Sequence, residues 1–395
     1  MNEIRVLRRE ELPDGYELSE FAFQYEVSAA EREERAAKAD PNQTWGYFAE
    51  GRLAAKLELL PFHVWVNGRR IGMGGIAGVA TWPEHRRGGM VGQLLVQSLK
   101  TMRDNGQTLS FLAPFKFAFY RKYGWETYVD HLHYEIPVEQ LPKFEAVPGS
   151  RIVRKAKDAK LLNPLYEAYA RQYNGMLERD EARWRDTHFG KKGMIAVYEN
   201  PQGEARGYVF YLVRNRTATI HEMVFLDEEA RRGLWNFIGN HDSMIAKAEL
   251  KAPVDDQLPF LTADPRFKQE RTPYFMARIV DAEAFLTQIP YAARPDAEPL
   301  YLRIADEQAE WNQGMFRVTF ADGGTSAEAA KLPEGEMPAE SELLSCTIQT
   351  LAALLLGYQR PAFLARIGRL RGAADLVDRL EAAIPRRTTF LTDFF

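Results

Sequence analysis

At 395 residues, the chain is long enough for two or three domains at about 150 residues each. Its 46% hydrophobic and 27% charged residues exclude a disordered or fibrous protein. The balance of 51 basic against 55 acidic residues, a net charge of -4, argues against nucleic acid as the default partner, and the single cysteine, Cys346, excludes a disulfide framework or a cysteine zinc cluster. The N-terminal MNEIRVLRREEL lacks the apolar core of a secretory signal. The longest apolar stretch, residues 351–356, is far short of the roughly 20 residues a bilayer span needs. A cytoplasmic protein with no membrane partner is expected.

In chain order, residues 45–49 and 53–60 read as strands joined by the turn Glu50-Gly51. Residues 62–66 and 69–72 read as strands around Asn67-Gly68, a strong hairpin signal because both turn residues tolerate positive φ. A glycine-rich strand over 74–81, the loop WPEHRRGG and a helix over 90–102 follow, the helix announced by Met90, Leu94, Leu95 and Leu99. Residues 109–113 form another strand, Pro114 breaks it, and an aromatic helix over 115–123 ends at Gly124.

Val147-Pro148-Gly149-Ser150 combines chain breakers between patterned regions and marks a boundary. Beyond it the chain repeats itself: Arg151-Ile152-Val153-Arg154 echoes Arg5-Val6-Leu7-Arg8, and Arg231-Arg232-Gly233 echoes Arg86-Arg87-Gly88, at nearly equal offsets. Past Pro290, strands over 301–305 and 315–320, the turn Asp322-Gly323-Gly324, and helices near 348–356 and 373–383 make an α+β third part. It ends on Phe394-Phe395, and an aromatic end is expected to be docked rather than frayed.

The loop Glu84-His85-Arg86-Arg87-Gly88-Gly89 carries the chemistry. Backbone N–H groups at a helix N-terminus, glycines allowing close approach and two arginines suit a pyrophosphate, while a solvated basic turn is the plain alternative. No Gly-Lys-Ser/Thr and no Gly-x-Gly-x-x-Gly is present, so P-loop and dinucleotide readings fail. His131-x-His133 would point two rings to one face, but no third ligand stands nearby and no metal is expected. Cys346 reads as a buried apolar residue.

The strand, loop and helix, with FLAPFKFAFYRKYGW after them, resemble the GNAT acetyltransferase superfamily. Its acyl-CoA loop follows Arg-x-x-Gly-x-Gly/Ala. Arg86 and Gly89 match, and the last position falls on Val91. With two tandem regions, a sterol-carrier-like tail and a terminal phenylalanine, the whole chain is similar to the Eis (enhanced intracellular survival) N-acetyltransferases. The resemblance implies an α/β and α+β fold: tandem GNAT-like domains, each a mixed sheet flanked by helices, over residues 1–148 and 149–290, and a sterol-carrier-protein-like domain over 291–395.

It also implies acetyl-CoA as co-substrate, with Val79 and Thr81 pairing the pantetheine arm and Arg86, Arg87, Gly88 and Gly89 holding the pyrophosphate. Tyr120 would be the general acid, a role suited to a phenol protonated at neutral pH; a core aromatic is the alternative. The C-terminal carboxylate of Phe395 would be the general base, acting directly if desolvation raises it or else through water. Phe23 and Glu26, in FAFQYEV, would line the acceptor site, with an ordinary amphipathic helix face as the alternative, and the acceptor would be a cationic small-molecule or lysine amine. The second copy, where Leu234 follows Gly233, is expected not to bind CoA. A homo-oligomer, often a hexamer, is implied. Two other readings remain: a non-catalytic acyl-CoA or lipid binder, and an aminoacyltransferase using charged tRNA.

Overall fold

The computed structural model describes residues 2–292, 298–321, 325–333 and 335–395, so the expected turn Asp322-Gly323-Gly324 lies outside the described residues. The first third of the chain supplies β1 (Glu3–Val6), β2 (Thr44–Ala49), β3 (Arg52–Val66), β4 (Arg69–Thr81), β5 (Leu109–Leu112), β6 (Glu126–Thr127) and β7 (Asp130–Pro137). The middle supplies β8 (Arg151–Lys155), β9 (Met194–Glu199), β10 (Ala205–Arg214), β11 (Thr217–Phe225), β12 (Lys247–Ala252), β13 (Lys268–Pro273) and β14 (Met276–Ile279). The last part contributes β15 (Leu300–Ala305), β16 (Gly314–Phe320), β17 (Ala327–Lys331), β18 (Leu343–Thr347) and β19 (Leu370–Arg371).

The hairpins form as their turn residues dictate: Asn67 and Gly68 have φ of 51° and 80°, and Glu50 and Gly51 have 52° and 78°. β3 and β4 then pair antiparallel over their length, interrupted by one irregularity between Lys56 and Glu58. The helix Met90–Asp104 crosses back and buries Leu94, Leu95, Leu99 and Met102 completely against this sheet, roughly 1.5–3 kcal/mol for each such side chain.

Two seven-stranded sheets result, with orders β1-β2-β3-β4-β5-β14-β6 and β8-β9-β10-β11-β12-β7-β13. Position by position they are the same sheet built twice, except that each takes its sixth strand from the other half of the chain. β14 pairs with β5 and β6 in the first, and β7 with β12 and β13 in the second. A division at residue 148 therefore follows the chain but not the sheets.

The third part is a five-stranded sheet, order β17-β16-β15-β18-β19, with helices Ile348–Leu355, Pro361–Arg366 and Ala374–Ala383. Its core is continuous with the first sheet: Val64, Met73 and Phe111 share one apolar cluster with Leu302, Phe316 and Leu351. A fully buried ion pair, Arg278 to Asp306 at 2.7 Å, ties β14 to the third part.

After the helix Ala374–Ala383 the chain runs back between the two larger sheets. Asn174 N–H donates to Thr388 C=O, and Phe390 N–H donates to Asn174 C=O.

Candidate active site

The first sheet opens where the loop over residues 84–89 meets it. β4 pairs parallel with β5 only from Met73 to Ile76, and its last residues, through Val79 and Thr81, run on without that partner. Backbone groups on this open edge are free to bond an extended ligand. The loop follows a single turn, Pro83–His85, and two of its residues adopt positive φ: Arg87 at 67° and Gly89 at 76°. Such alternation turns successive N–H groups to one side and makes an anion-binding concavity. The first bond of the helix runs from Gln93 N–H to Gly89 C=O, leaving the N–H groups of Met90, Val91 and Gly92 without an intrahelical partner. Arg86 and Arg87 are exposed, and among the described residues neither has an acidic partner.

These groups converge on a cleft of about 560 Å³. Val79, Thr81, Arg86, Arg87 and Gly89 line it, and Phe23 closes its side. His85, Phe115, Phe119 and Tyr123 also line it, although no binding role was expected of them. Gly88 is exposed in the loop and is not part of the cleft wall. Glu26 opens instead on an adjoining depression that shares Ala22 and Arg86 with the cleft and is rimmed by Glu17, Phe21, Tyr25 and Trp82.

Tyr120 lies on the short helix Phe117–Arg121 and is 2% exposed, behind the cleft rather than in its lining. Its ring meets Phe115 and Phe119 edge-on at 5.3 and 5.2 Å. Burial pushes its phenol above the usual range, so it stays protonated at neutral pH. Tyr123 reaches the first turn of the helix: a Cβ on Gly92 would stand 2.1 Å from its hydroxyl. The glycine of FYRKYGW has a comparable reason. Gly124, at φ 93°, leaves room for Arg278, whose Nη1 would lie 1.3 Å from a Cβ there and which donates to Tyr123 C=O at 2.6 Å.

The chain end arrives at the same sheet on the face opposite the helix, since a Cβ on Gly74 would meet Met102 and one on Gly75 would meet Phe395. The Phe395 ring packs against Phe62 and Phe275, at 4.9 and 5.1 Å, and over Gly75 of β4, where a Cβ would stand 2.7 Å from it. Phe394 is 62% exposed, so one terminal ring is docked and not both. Gly75 precedes Val79 by four residues, about 13 Å along a strand.

His131 and His133 carry no metal cluster; among the described residues no group of three or more His, Cys, Asp or Glu side chains is placed to hold an ion. His131 instead donates from Nε2 to Leu391 C=O at 2.6 Å. Cys346 is buried, which pushes its thiol up to about 12 and leaves it inert.

The second copy differs from the sequence expectation. Arg231, Arg232 and Gly233 are not a loop but lie inside the helix Glu228–Gly239, and Leu234 is buried in the core rather than blocking an anion. The start of this helix also differs from that of the first copy. The Asp227 side chain caps Ala230 N–H, and Glu228 and Glu229 fill the first turn, so carboxylates occupy the place a phosphate would take.

The comparisons agree along the whole chain. Profiles described as acetyltransferase (GNAT) domains match residues 3–128 and 175–279, and one described as a sterol carrier protein domain matches 282–392. An uncharacterized N-acetyltransferase of Streptomyces avermitilis is 27% identical over 90% of this chain and 89% of its own. The N-acetyltransferase Eis of Mycobacterium tuberculosis is 26% identical over 80% of each chain. A crystal structure from Enterococcus faecalis, described as a probable N-acyltransferase, superposes with a TM-score of 0.90 at 29% identity over 100% of both chains.

Proposed function

Because the chain belongs with the Eis-like N-acetyltransferases of the GNAT superfamily, we propose that it transfers acetyl from acetyl-CoA to a primary amine of a cationic acceptor, an aminoglycoside, a polyamine or a lysine side chain. The observation that carries this reading is the open edge of β4 running into the exposed Arg86 and Arg87 at a helix N-terminus. Val79 and Thr81 offer backbone bonds to the pantetheine arm, and the N–H groups around Gly89, with Arg86 and Arg87 and with Gly88 shaping the loop, meet the pyrophosphate.

Acetyl-CoA supplies an activated acetyl group. Tyr120 donates to the departing sulfur; the burial that raises its phenol also raises a thiolate formed beside it, which keeps the pair matched. The Phe395 carboxylate accepts the ammonium proton of the acceptor, directly or through water. The carboxylates Glu17 and Glu26 beside Phe21, Phe23 and Tyr25 give the acceptor side a cation-attracting rim. A homo-oligomer forms part of the same reading, with sedimentation as its check.

A lipid-binding reading finds little support, because the void inside the third part is wholly apolar and about 10 Å³, below the size of an acyl chain. The test is thiol release from acetyl-CoA with a panel of amines, applied to the native chain, to a chain extended by a few residues after Phe395, and to Phe395→Leu. The native chain should turn over, the extended one should lose most of its kcat/KM, and Phe395→Leu should keep much of it, since position and not side chain supplies the carboxylate. Full activity in the extended chain would refute the terminal-carboxylate role.

A further inference from the structure

The second sheet keeps the opening that a GNAT sheet uses for its acyl carrier, and the chain's own last residues fill it. β11 pairs parallel with β12 only from Thr217 to Ile220, so its later residues diverge as those of β4 do. Glu222 stands two residues past the last pair there, as Gly78 does past Ile76 in the first sheet. What remains open is about 40 Å³, and Phe390 and Thr392 form part of its wall. The segment entering it is fixed by buried polar contacts, where removing a partner leaves an uncompensated group.

The centre of this arrangement is Asp393, two residues before Phe395, with a side chain fully removed from solvent. Arg179, itself fully buried, reaches Asp393 at 3.0 Å and Glu222 at 2.7 Å; Arg183 and His188 each reach Asp393 at 2.9 Å. Arg183 also donates to Phe394 C=O at 3.2 Å, and the Tyr274 hydroxyl donates to Asp393 C=O at 2.9 Å. Burial alone would raise the Asp393 carboxyl, but Arg179, His188 and Arg183 hold it well below its usual range.

We propose that the second GNAT unit is a clamp for residues 388–395, and that Asp393, gripped by Arg179, Arg183 and His188, is a positioning residue that sets where Phe395 stands in the first unit. The inference rests on the reading of the Phe395 carboxylate as base. It gives the unit that lacks a phosphate loop a part in the reaction, since its vestigial slot fixes the group the first unit uses. Arg183 is the member to change, because it lies at the edge of the cluster, 12% exposed, and touches both Asp393 and the Phe394 carbonyl.

The experiment compares the full chain with Arg183→Gln and Arg183→Lys, reading amide hydrogen exchange of residues 388–395 by mass spectrometry, kcat for an amine acceptor, and the acetyl-CoA dissociation constant by calorimetry. In Arg183→Gln, exchange of the segment should rise and kcat should fall, each about tenfold, the scale of a charge-assisted hydrogen bond. Acetyl-CoA binding should be unchanged, and Arg183→Lys should recover most of both losses. Unchanged exchange in Arg183→Gln would overturn the clamp, as would a parallel loss of acetyl-CoA binding, which would mean general unfolding. Faster exchange with unchanged kcat would leave the clamp standing and overturn the terminal-carboxylate reading instead. Asp393→Asn, checked for folding by its thermal melt, should exceed Arg183→Gln in both readouts.

Discussion

Two tyrosines stand three residues apart on the FYRKYGW segment, and the structure separates what each can do. Tyr120 is buried behind the cleft with its phenol held protonated, whereas Tyr123 lines the cleft and packs on the first turn of the helix at Gly92. Tyr120→Phe should lower kcat by about 10²- to 10⁴-fold with acetyl-CoA affinity unchanged, the signature of a lost proton donor. Tyr123→Phe should stay within a few-fold of native. Stopped-flow and calorimetry on the two variants check this, and the opposite ranking would hand the acid role to Tyr123. His131 gives a pH dependence. Burial lowers its pKa to about 4, with Lys251 and His133 acting in the same direction and the Leu391 carbonyl and Asp130 opposing. The unfolded imidazole, near pKa 6.5, takes up a proton before the folded one. Its contribution to stability is therefore complete above about pH 6.5 and is lost as pH falls toward about 4. The midpoint of thermal unfolding should drop across that window, and less steeply in His131→Gln, which keeps a donor for Leu391 but does not titrate; equal slopes would show that other groups govern the loss.

At the scale of elements, the loop over residues 84–89 and the helix after it form one device. Gly89 has open space where a Cβ would point, yet its φ of 76° is strained for any other residue, more so for a β-branched one. Gly89→Val should weaken acetyl-CoA binding at least tenfold by shifting the N–H groups of the first turn, while calorimetry of the native chain should give one site per chain; two sites would show that the acidic helix start at Asp227 does not exclude the ligand. This device was legible in the sequence because its signals are local: the Asn67-Gly68 hairpin, the apolar spacing from Met90 and the Arg-Arg-Gly-Gly run all act within a few residues. The second copy was half legible. Arg151 to Arg154 does begin a sheet equivalent to the first, but Arg231-Arg232-Gly233 matched a loop by offset alone, and Asp227 had already started the helix four residues earlier. Nothing local marks Arg179, Arg183 and His188 as partners of Asp393, more than 200 residues away. The aromatic end predicted docking, and the structure docks Phe395 but leaves Phe394 exposed.

At the scale of the molecule, catalysis would draw on all three parts: the first sheet offers the cleft, the third delivers the returning chain, and the second grips it. Tightly shared cores mean that the parts should not survive separation. A fragment of residues 1–148 lacks β14, leaving β5 and β6 unjoined, and its β7 has no sheet to enter. It should show no cooperative melt by circular dichroism, whereas the full chain should; a sharp transition in the fragment would mean that the exchanged strand is dispensable. The reciprocal exchange of β7 and β14 also imposes an order on synthesis. A ribosome delivers β5 long before β14, so the sheet that holds the proposed catalytic cleft must wait with an open strand edge while some 160 further residues are made, at about 5–20 residues per second. In the second sheet it is β7 that waits, for about 110 residues until β12 is made. β13 ends at Pro273 and β14 begins at Met276, so the two sheets close almost together, and premature termination anywhere before residue 276 leaves an adhesive edge that chaperones would have to shield.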